Sequence, residues 1–317
     1  MKFRLAVAIS AFFLFAFSVF ALAADVPDFT LHTIGDGVWA AIVNDAGKAG
    51  GNAGFVVGDD GVAVIDTFED PGAAKELLAE IRKITPLPIR FVVNTHYHLD
   101  HVNGNDVFAE AGARIVAHRN VRAWTRSENL KFFGDSIKPE MKARVESLTL
   151  PDVVYDDRVD LYLGSRELQV RYYPGHTGGD SVVIVPDAHV VFCGDLLWKE
   201  HFPNLIDAST KSWMKTLTDL QAAYGSYTLV PGHGEVAKGE DLATLRNYFA
   251  DLNTAIAAAL AQGKSGNAVV DSVLPGIQAK YGKWAFAEDF AHSNIEQTEQ
   301  EQTGKKRVPA PVAAGGL

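Results

Sequence analysis

The stretch NTHYHLDHVNG, residues 94–104, decides how this chain is interpreted. It carries His96, His98, Asp100 and His101, although the 317 residues contain only ten histidines. On an extended backbone His96 and His98 face the same side, so both can bind one metal ion. Asp100 and His101 follow where the loop turns, and they can face a second ion. The spacing therefore predicts a loop that contributes to two adjacent metal sites.

The residues before this loop predict alternating strands and helices. Residues 89–93 form a short apolar strand, which places the loop at the carboxyl end of that strand. Upstream, the apolar residues 55–57 and 62–65 flank Gly-Asp-Asp-Gly, which is typical of a hairpin. Asp70 followed by a proline predicts the start of a helix.

Three further candidate ligands lie beside glycines in turns or at the ends of apolar strands. His176 lies in PGHTGG, Asp195 follows the apolar residues 190–192, and His233 lies in VPGHG. Glycine lets the backbone turn sharply and presents the neighbouring side chain at the tip of a loop. A lone His-Gly pair is more often a turn, but together with the first motif these residues indicate one metal site.

Composition excludes some partners. The formal net charge is −10, which argues against nucleic acid or an anionic membrane surface as a partner. We expect a small-molecule substrate, and the sequence predicts no particular oligomeric state. Cys193 is the single cysteine, so no internal disulfide forms and burial must stabilise the fold.

The two termini are predicted to differ from the central domain. Residues 1–23 combine a charged start, an apolar run and an Ala-Leu-Ala pattern, which predicts a secretory signal peptide and a periplasmic or secreted protein. The alternative is an uncleaved membrane anchor. We expect a hydrolase domain over residues 24–297 and a tail without order over residues 298–317, where proline, glycine and charge accumulate.

Across residues 30–262 the chain resembles the metallo-β-lactamase superfamily, through the H-x-H-x-D-H motif and the order of the later His, Asp and His. This resemblance implies an α/β fold, a four-layer αββα sandwich. It implies one Zn²⁺ on His96, His98 and His176, and a second on Asp100, His101 and His233. Asp195 would bridge the two ions together with a water or hydroxide.

The resemblance also implies a hydrolase. Two zinc ions make hydroxide available near neutral pH, and Asp100 would orient this nucleophile. Asp66, at the end of residues 62–65, is similar to an early aspartate of the family, and we expect it to hold the histidine loop. The alternative for Asp66 is a turn-capping residue.

The stretch FPNLIDASTKSW, residues 202–213, resembles a loop of the cysteine-ligand metallo-β-lactamases in which an asparagine binds the oxyanion. Asn204 matches that asparagine, and the alternative is a plain loop residue. Two differences separate this chain from those enzymes. Asp195 replaces their cysteine ligand, as in glyoxalase II, and Trp198 replaces a lysine that grips the substrate carboxylate. The nearest lysine is Lys199.

The sequence therefore predicts an exported dinuclear zinc hydrolase that cleaves a cyclic amide or ester, such as a β-lactam or lactone. Hydrolysis of a phosphoester or sulfate ester is a lesser alternative. The others are a glyoxalase II-like thioesterase, a mononuclear iron enzyme similar to persulfide dioxygenases, and a metal-binding protein without catalysis. Seven ligands favour two metals over one. We expect Cys193 to be a core residue and consider His201 for the substrate cleft.

Overall fold

The computed structural model describes residues 26–313. The predicted signal peptide, residues 1–23, lies outside this range. Among the residues that are described, no helix is both long and apolar enough to cross a bilayer.

The first sheet has seven strands, arranged in space in the order in which they occur along the chain. The first four strands pair antiparallel, and the fourth to the seventh pair parallel. The strands are β1 Phe29–Gly35, β2 Val38–Val43, β3 Ala53–Val57, β4 Val62–Ile65, β5 Ile89–Val93, β6 Arg114–His118 and β7 Val153–Tyr155. The predicted hairpin over β3 and β4 and the predicted strand β5 are confirmed.

The second sheet has five strands in the order β12-β11-β10-β9-β8. Neighbours pair antiparallel except β11 and β12, which are parallel. The strands are β8 Arg158–Leu163, β9 Arg166–Tyr172, β10 Ser181–Val185, β11 Val190–Trp198 and β12 Thr228–His233. Strand β11 is longer than the sequence indicates, because it continues past a register shift at Gly194.

Nine α-helices are present within residues 26–313. They are α1 Pro71–Ile84, α2 Leu99–Val102, α3 Asn105–Glu110, α4 Arg119–Phe133, α5 Pro139–Ser147, α6 Thr210–Tyr224, α7 Gly239–Ala261, α8 Asn267–Tyr281 and α9 Ala287–Gln302. The predicted start of α1 is confirmed, because the Asp70 side chain accepts a hydrogen bond from Gly72 N and proline occupies the first turn.

Alternating side chains divide the protein into four layers. On β3 and β4, Val56 and Ala63 belong to a core made only of strand residues from both sheets, together with Val183 of β10. Their neighbours Phe55 and Val64 instead pack in a core with α1 and α3. On the far side, the second sheet packs against α6, α7, α8 and α9. The predicted αββα sandwich is confirmed.

The predicted tail boundary is wrong, because α9 continues to Gln302. Thr298 is buried, and the carboxylate of Glu301 accepts hydrogen bonds from Ser209 Oγ and from Thr210 N and Oγ1 at 2.8–2.9 Å. These acceptors satisfy the free donors at the start of α6. Farther on, the Lys306 ammonium donates to Leu205 O. The charged and polar residues here belong to a helix that caps another helix. Composition alone does not distinguish such a helix from a disordered tail.

We therefore expect Glu301→Ala to lower the free energy of unfolding by about 1–2 kcal/mol, because the first turn of α6 loses its acceptor. Urea denaturation of the full chain measures this change. The matched control is Glu296→Ala on the same helix, where the carboxylate pairs, among the described residues, only with exposed His292 at 3.6 Å. We expect a change below about 0.5 kcal/mol. Equal losses in the two variants would contradict the capping role.

Candidate metal centre

The seven candidate ligands come together where loops and strand ends of both sheets meet. The 94–104 loop leaves the end of β5, Asp195 lies within β11, and His233 ends β12. His176 lies in the turn between β9 and β10. The structure thus gathers every ligand residue that the sequence predicted.

The ligand atoms form two groups, within each of which they lie within 4.8 Å of one another. The first group contains His96, His98, His176 and Asp195, and the second contains Asp100, His101 and His233. This division agrees with the assignment implied by the family resemblance.

Asp195 joins the two groups through its two carboxylate oxygens. Oδ2 lies 3.2 Å from His176 Nε2 and 3.6 Å from His96 Nε2. Oδ1 lies 3.0 Å from His101 Nε2 and 3.4 Å from His233 Nε2. Each oxygen therefore faces one group, as a bridging ligand requires.

Three of the histidines direct one ring nitrogen at the centre and the other at a neighbouring oxygen. His96 Nδ1 lies 3.1 Å from Thr95 Oγ1. His98 Nδ1 lies 2.9 Å from His176 Nε2, while its Nε2 lies 3.6 Å from Asp207 Oδ2. Such partners fix the ring orientation and the tautomer of a ligating histidine.

Asp66 orients the third of these histidines and also holds the loop. Its Oδ2 lies 3.0 Å from His101 Nδ1 and accepts a hydrogen bond from Thr95 Oγ1 at 2.7 Å. Its Oδ1 accepts from Thr95 N at 2.8 Å. Asp66 has φ +56, an uncommon value for a non-glycine residue. The predicted contact between Asp66 and the histidine loop is therefore present.

In the second group, Asp100 and His233 face each other beside a tryptophan. Asp100 Oδ2 lies 3.3 Å from His233 Nε2 and 3.4 Å from His101 Nε2. The His233 ring stacks on Trp198, with centroids 3.9 Å apart and planes at 27°. The residue that replaces the family lysine thus supports a candidate ligand and also borders the cavity beside it.

The electrostatics of the centre follow from buried charges of opposite sign. Burial alone would raise the pKa of Asp195, but His233, His101, His96 and His176 hold it well below its usual range. Burial lowers the pKa of His176 to about 3 and outweighs the attraction of Asp195. The His176 ring is therefore neutral, which is the form that ligates a metal.

Several buried polar atoms of the centre lack a hydrogen bond within the described part of the chain. They are His96 Nε2, His101 Nε2, His176 Nδ1, Asp195 Oδ1 and His233 Nε2. An unsatisfied buried polar group costs about 1–3 kcal/mol, so a cluster of them needs a partner. All of these except His176 Nδ1 point toward the centre, and imidazole nitrogen with carboxylate oxygen is a donor set that suits Zn²⁺. The residues present fit the two ions that the fold family implies.

Close backbone approach makes glycine necessary next to the ligands. A Cβ on Gly232 would lie 1.9 Å from Asp195 Oδ1, and one on Gly51 would lie 2.5 Å from His101 Nε2. The glycines beside the histidine and aspartate motifs therefore leave room for ligand side chains.

A cavity of about 870 Å³ opens from the centre. Asn204 and His201 both border it. Asn204 Oδ1 accepts a hydrogen bond from Ile206 N at 3.0 Å, which directs its acceptor into the turn. Lys199 turns away and donates to Val236 O. Cys193 is buried in the core against the helices, as predicted.

Sequence reasoning missed residues that hold the ligand loops. Asp180 accepts hydrogen bonds from Gly175 N and from Thr177 N and Oγ1 at 2.5–3.0 Å, which shapes the turn around His176. Asp207 accepts a hydrogen bond from the Tyr97 hydroxyl as well as facing His98. Asp207 lies inside the 202–213 stretch, so the resemblance of that stretch to a substrate-binding loop could have indicated a role for it.

Comparison with known proteins connects this geometry to a family. The model of the metallo-beta-lactamase superfamily matches residues 46–233. A linear primary-alkylsulfatase from a Pseudomonas species is 24% identical over 217 residues, covering 57% of this chain and 41% of that protein. A hydroxyacylglutathione hydrolase from Brucella ovis is 30% identical over 184 residues, covering 57% of this chain and 62% of that protein. The chain thus spans less than two thirds of these relatives.

A solved structure supports the fold. The metallo-beta-lactamase from Pontibacter korlensis superimposes with a TM-score of 0.59 at 23% identity, covering 70% of this chain and 99% of that one. Since identity is low, this similarity concerns the architecture and not the substrate.

We expect Gly232→Ala to weaken zinc binding by at least about tenfold, because the added methyl displaces the Asp195 carboxylate that faces both groups. Chelator competition, with metal content measured by mass spectrometry, reports the affinity. Gly276→Ala is the matched control, since a Cβ there meets no described atom within 4 Å. An unchanged affinity in Gly232→Ala would show that the centre does not depend on the position of Asp195.

Proposed function

Because the chain belongs to the metallo-beta-lactamase superfamily, we propose that it is a dinuclear zinc hydrolase that cleaves an acyl bond. The substrate class is a cyclic amide or ester, such as a β-lactam or lactone. We also propose that residues 1–23 direct its export, so that it acts in the periplasm or outside the cell. The charged start and apolar run of that segment support export.

The position of Asp195 is the observation that best supports two metal ions. Its Oδ2 faces His96 and His176, while its Oδ1 faces His101 and His233 at 3.0 and 3.4 Å. One carboxylate between two sets of imidazoles supports two ions side by side better than a single ion. His98 completes the first set and Asp100 the second.

When bound, the two zinc ions supply hydroxide near neutral pH and polarise the acyl oxygen. The side chains of the protein then position the reactants. Asp100 is 27% exposed and borders the cavity, so its carboxylate can accept a hydrogen bond from the attacking water and orient it. Asp66, Thr95 and Asp207 keep the imidazoles in place through the contacts described above.

Asn204 is the proposed donor to the developing oxyanion. It borders the same cavity as Asp100 and His233. Because its Oδ1 is held by Ile206 N, the amide Nδ2 is the group left to donate. An amide donor aimed at a developing oxyanion contributes about 3 kcal/mol to stabilising the transition state.

The contacts of Trp198 and Lys199 argue against efficient β-lactam binding. Trp198 stacks on His233, and the Lys199 ammonium donates to Val236 O at 2.8 Å. Neither side chain is placed to bind the carboxylate of a β-lactam. Within the proposed class, we therefore favour a lactone or ester without a carboxylate over a β-lactam.

A thioesterase of the glyoxalase II type is the second candidate function. The 30% identity to a hydroxyacylglutathione hydrolase favours this candidate. The similarity to an alkylsulfatase makes sulfate esters a further substrate class to test. A single-iron enzyme similar to persulfide dioxygenases would not use all seven ligand residues.

Metal analysis and a substrate panel test the proposal. We expect two zinc ions per purified chain, loss of activity on chelation, and recovery on adding zinc. We expect faster hydrolysis of a lactone than of a chromogenic cephalosporin, a glutathione thioester or an alkyl sulfate. One iron per chain would end the hydrolase assignment, and preference for the thioester would favour the second candidate.

We expect Asn204→Ala to lower kcat/KM for the preferred acyl substrate by about 100-fold, because the oxyanion loses its amide donor. Metal content should stay unchanged, since Asn204 belongs to neither ligand group. The control is Asn44→Ala, which borders the same cavity but whose side chain instead bonds Pro27 O and Thr30 Oγ1. If Asn204→Ala matches wild type on every acyl substrate, the oxyanion role is wrong.

A further inference from the structure

The cavity above the metal centre carries three acidic side chains at its rim. Asp45, Glu69 and Asp289 border it, and all three are exposed. Within residues 26–313, no lysine or arginine lines the cavity or forms an ion pair with any of the three. Among the residues that border the cavity, acidic side chains therefore outnumber lysine and arginine.

Aromatic rings form the wall between this rim and the centre. Phe132 is 57% exposed and Phe286 is 38% exposed, although both are large and apolar. Phe133 and Phe290 border the cavity beside them. Grouped exposed apolar side chains at the mouth of a pocket indicate a ligand-binding surface.

Phe286 is held over the centre by an unusual backbone. Its φ is +59, a left-handed value that is an outlier for a bulky residue. The ring lies 5.2 Å from that of His201 and 6.0 Å from that of His233. Strained conformations persist where surrounding structure maintains them, and they cluster at ligand-binding sites.

The inner end of the cavity reaches polar atoms without partners. His233 is 5% exposed and borders the cavity, and its Nε2 makes no hydrogen bond to a described residue. A molecule that fills the cavity therefore contacts the reactive centre at one end and the acidic, aromatic rim at the other.

Much of this wall lies outside the segment that matches the family. Asp45 precedes the matched residues 46–233, and Phe286, Asp289 and Phe290 follow them. Glu69, Phe132 and Phe133 lie inside the matched segment, so the rim combines residues of that segment with residues outside it.

We propose that the cavity selects acyl substrates with an apolar body that carries an ammonium group, an inference that rests on the proposed hydrolase function. The rim carboxylates attract the cation, and the faces of the phenylalanine rings stabilise it. In the reaction, the oxygen of water bonds to the acyl carbon and the acyl–oxygen bond breaks. The products are a carboxylate, an alcohol and one proton. Anionic glutathione thioesters and alkyl sulfates are poor substrates for the same electrostatic reason.

Matched esters test this selection on the full zinc-loaded chain. Phenylacetate esters of choline and of 3,3-dimethylbutanol differ in charge but have nearly the same shape, and a third ester carries a carboxylate. We expect kcat/KM for the choline ester to exceed that of the neutral ester by about tenfold at low salt, with the anionic ester slowest. Raising NaCl from about 0.02 M to about 0.5 M should reduce this preference.

The triple variant Asp45→Asn, Glu69→Gln and Asp289→Asn should bring the ratio of kcat/KM for the choline ester to that for the neutral ester close to one. Asp271→Asn is the control, because Asp271 is exposed on α8 and does not border the cavity. Calorimetric binding of benzyltrimethylammonium gives a readout apart from turnover. We expect saturable binding to wild type and to the control, and loss of binding in the triple variant.

The outcomes separate this inference from the proposed function. Hydrolysis of the neutral ester without preference for the cation overturns the inference and leaves the hydrolase intact. Binding of benzyltrimethylammonium that depends on the three carboxylates, without hydrolysis of any ester, supports the inference about charge and overturns the acyl hydrolase. A charge preference that persists in the triple variant shows that the rim carboxylates do not cause it.

Discussion

The shared carboxylate of Asp195 is the constraint on which the centre depends. Its oxygens face two sets of imidazoles at 3.0–3.6 Å, although the residue is only 3% exposed. A carboxylate at that depth is stable only when positive charge lies close to it, which the two proposed ions would supply. Gly232 and Gly194 permit this placement. A Cβ on the first would overlap Asp195, and the second has φ +50 beside Thr95.

Each ligand loop is held by a carboxylate that is not itself a candidate ligand. Asp66 holds the loop after β5, Asp180 holds the turn around His176, and Asp207 faces His98. These residues are part of the reason that imidazoles converge before any metal binds, since their hydrogen bonds fix loop shape and ring orientation. The core between the sheets positions the strands, and these hydrogen bonds position the side chains.

The cavity connects the metal centre, which lies in the segment that matches the family, to residues at the start of α9. The segment that matches the family ends at residue 233, whereas Phe286, Asp289 and Phe290 lie at the start of α9 and just before it. That helix also caps α6 through Glu301. The C-terminal helices therefore stabilise the second half of the sandwich and shape the entrance to the centre at the same time. Such an arrangement lets substrate choice vary while the ligand set stays constant.

Local sequence patterns are sufficient to predict the candidate ligands, the strands β3 to β5 and the start of α1. H-x-H-x-D-H and the glycine-flanked His176, Asp195 and His233 are local patterns, as are the periodicities of β3 to β5 and the cap of α1. The packing of the folded chain establishes which atoms face each other, that α9 caps α6, and that Asp207 and Phe286 join the site. Those contacts link residues up to 133 positions apart, as between Asp100 and His233. Side-chain direction at such separations depends on packing that no local pattern encodes.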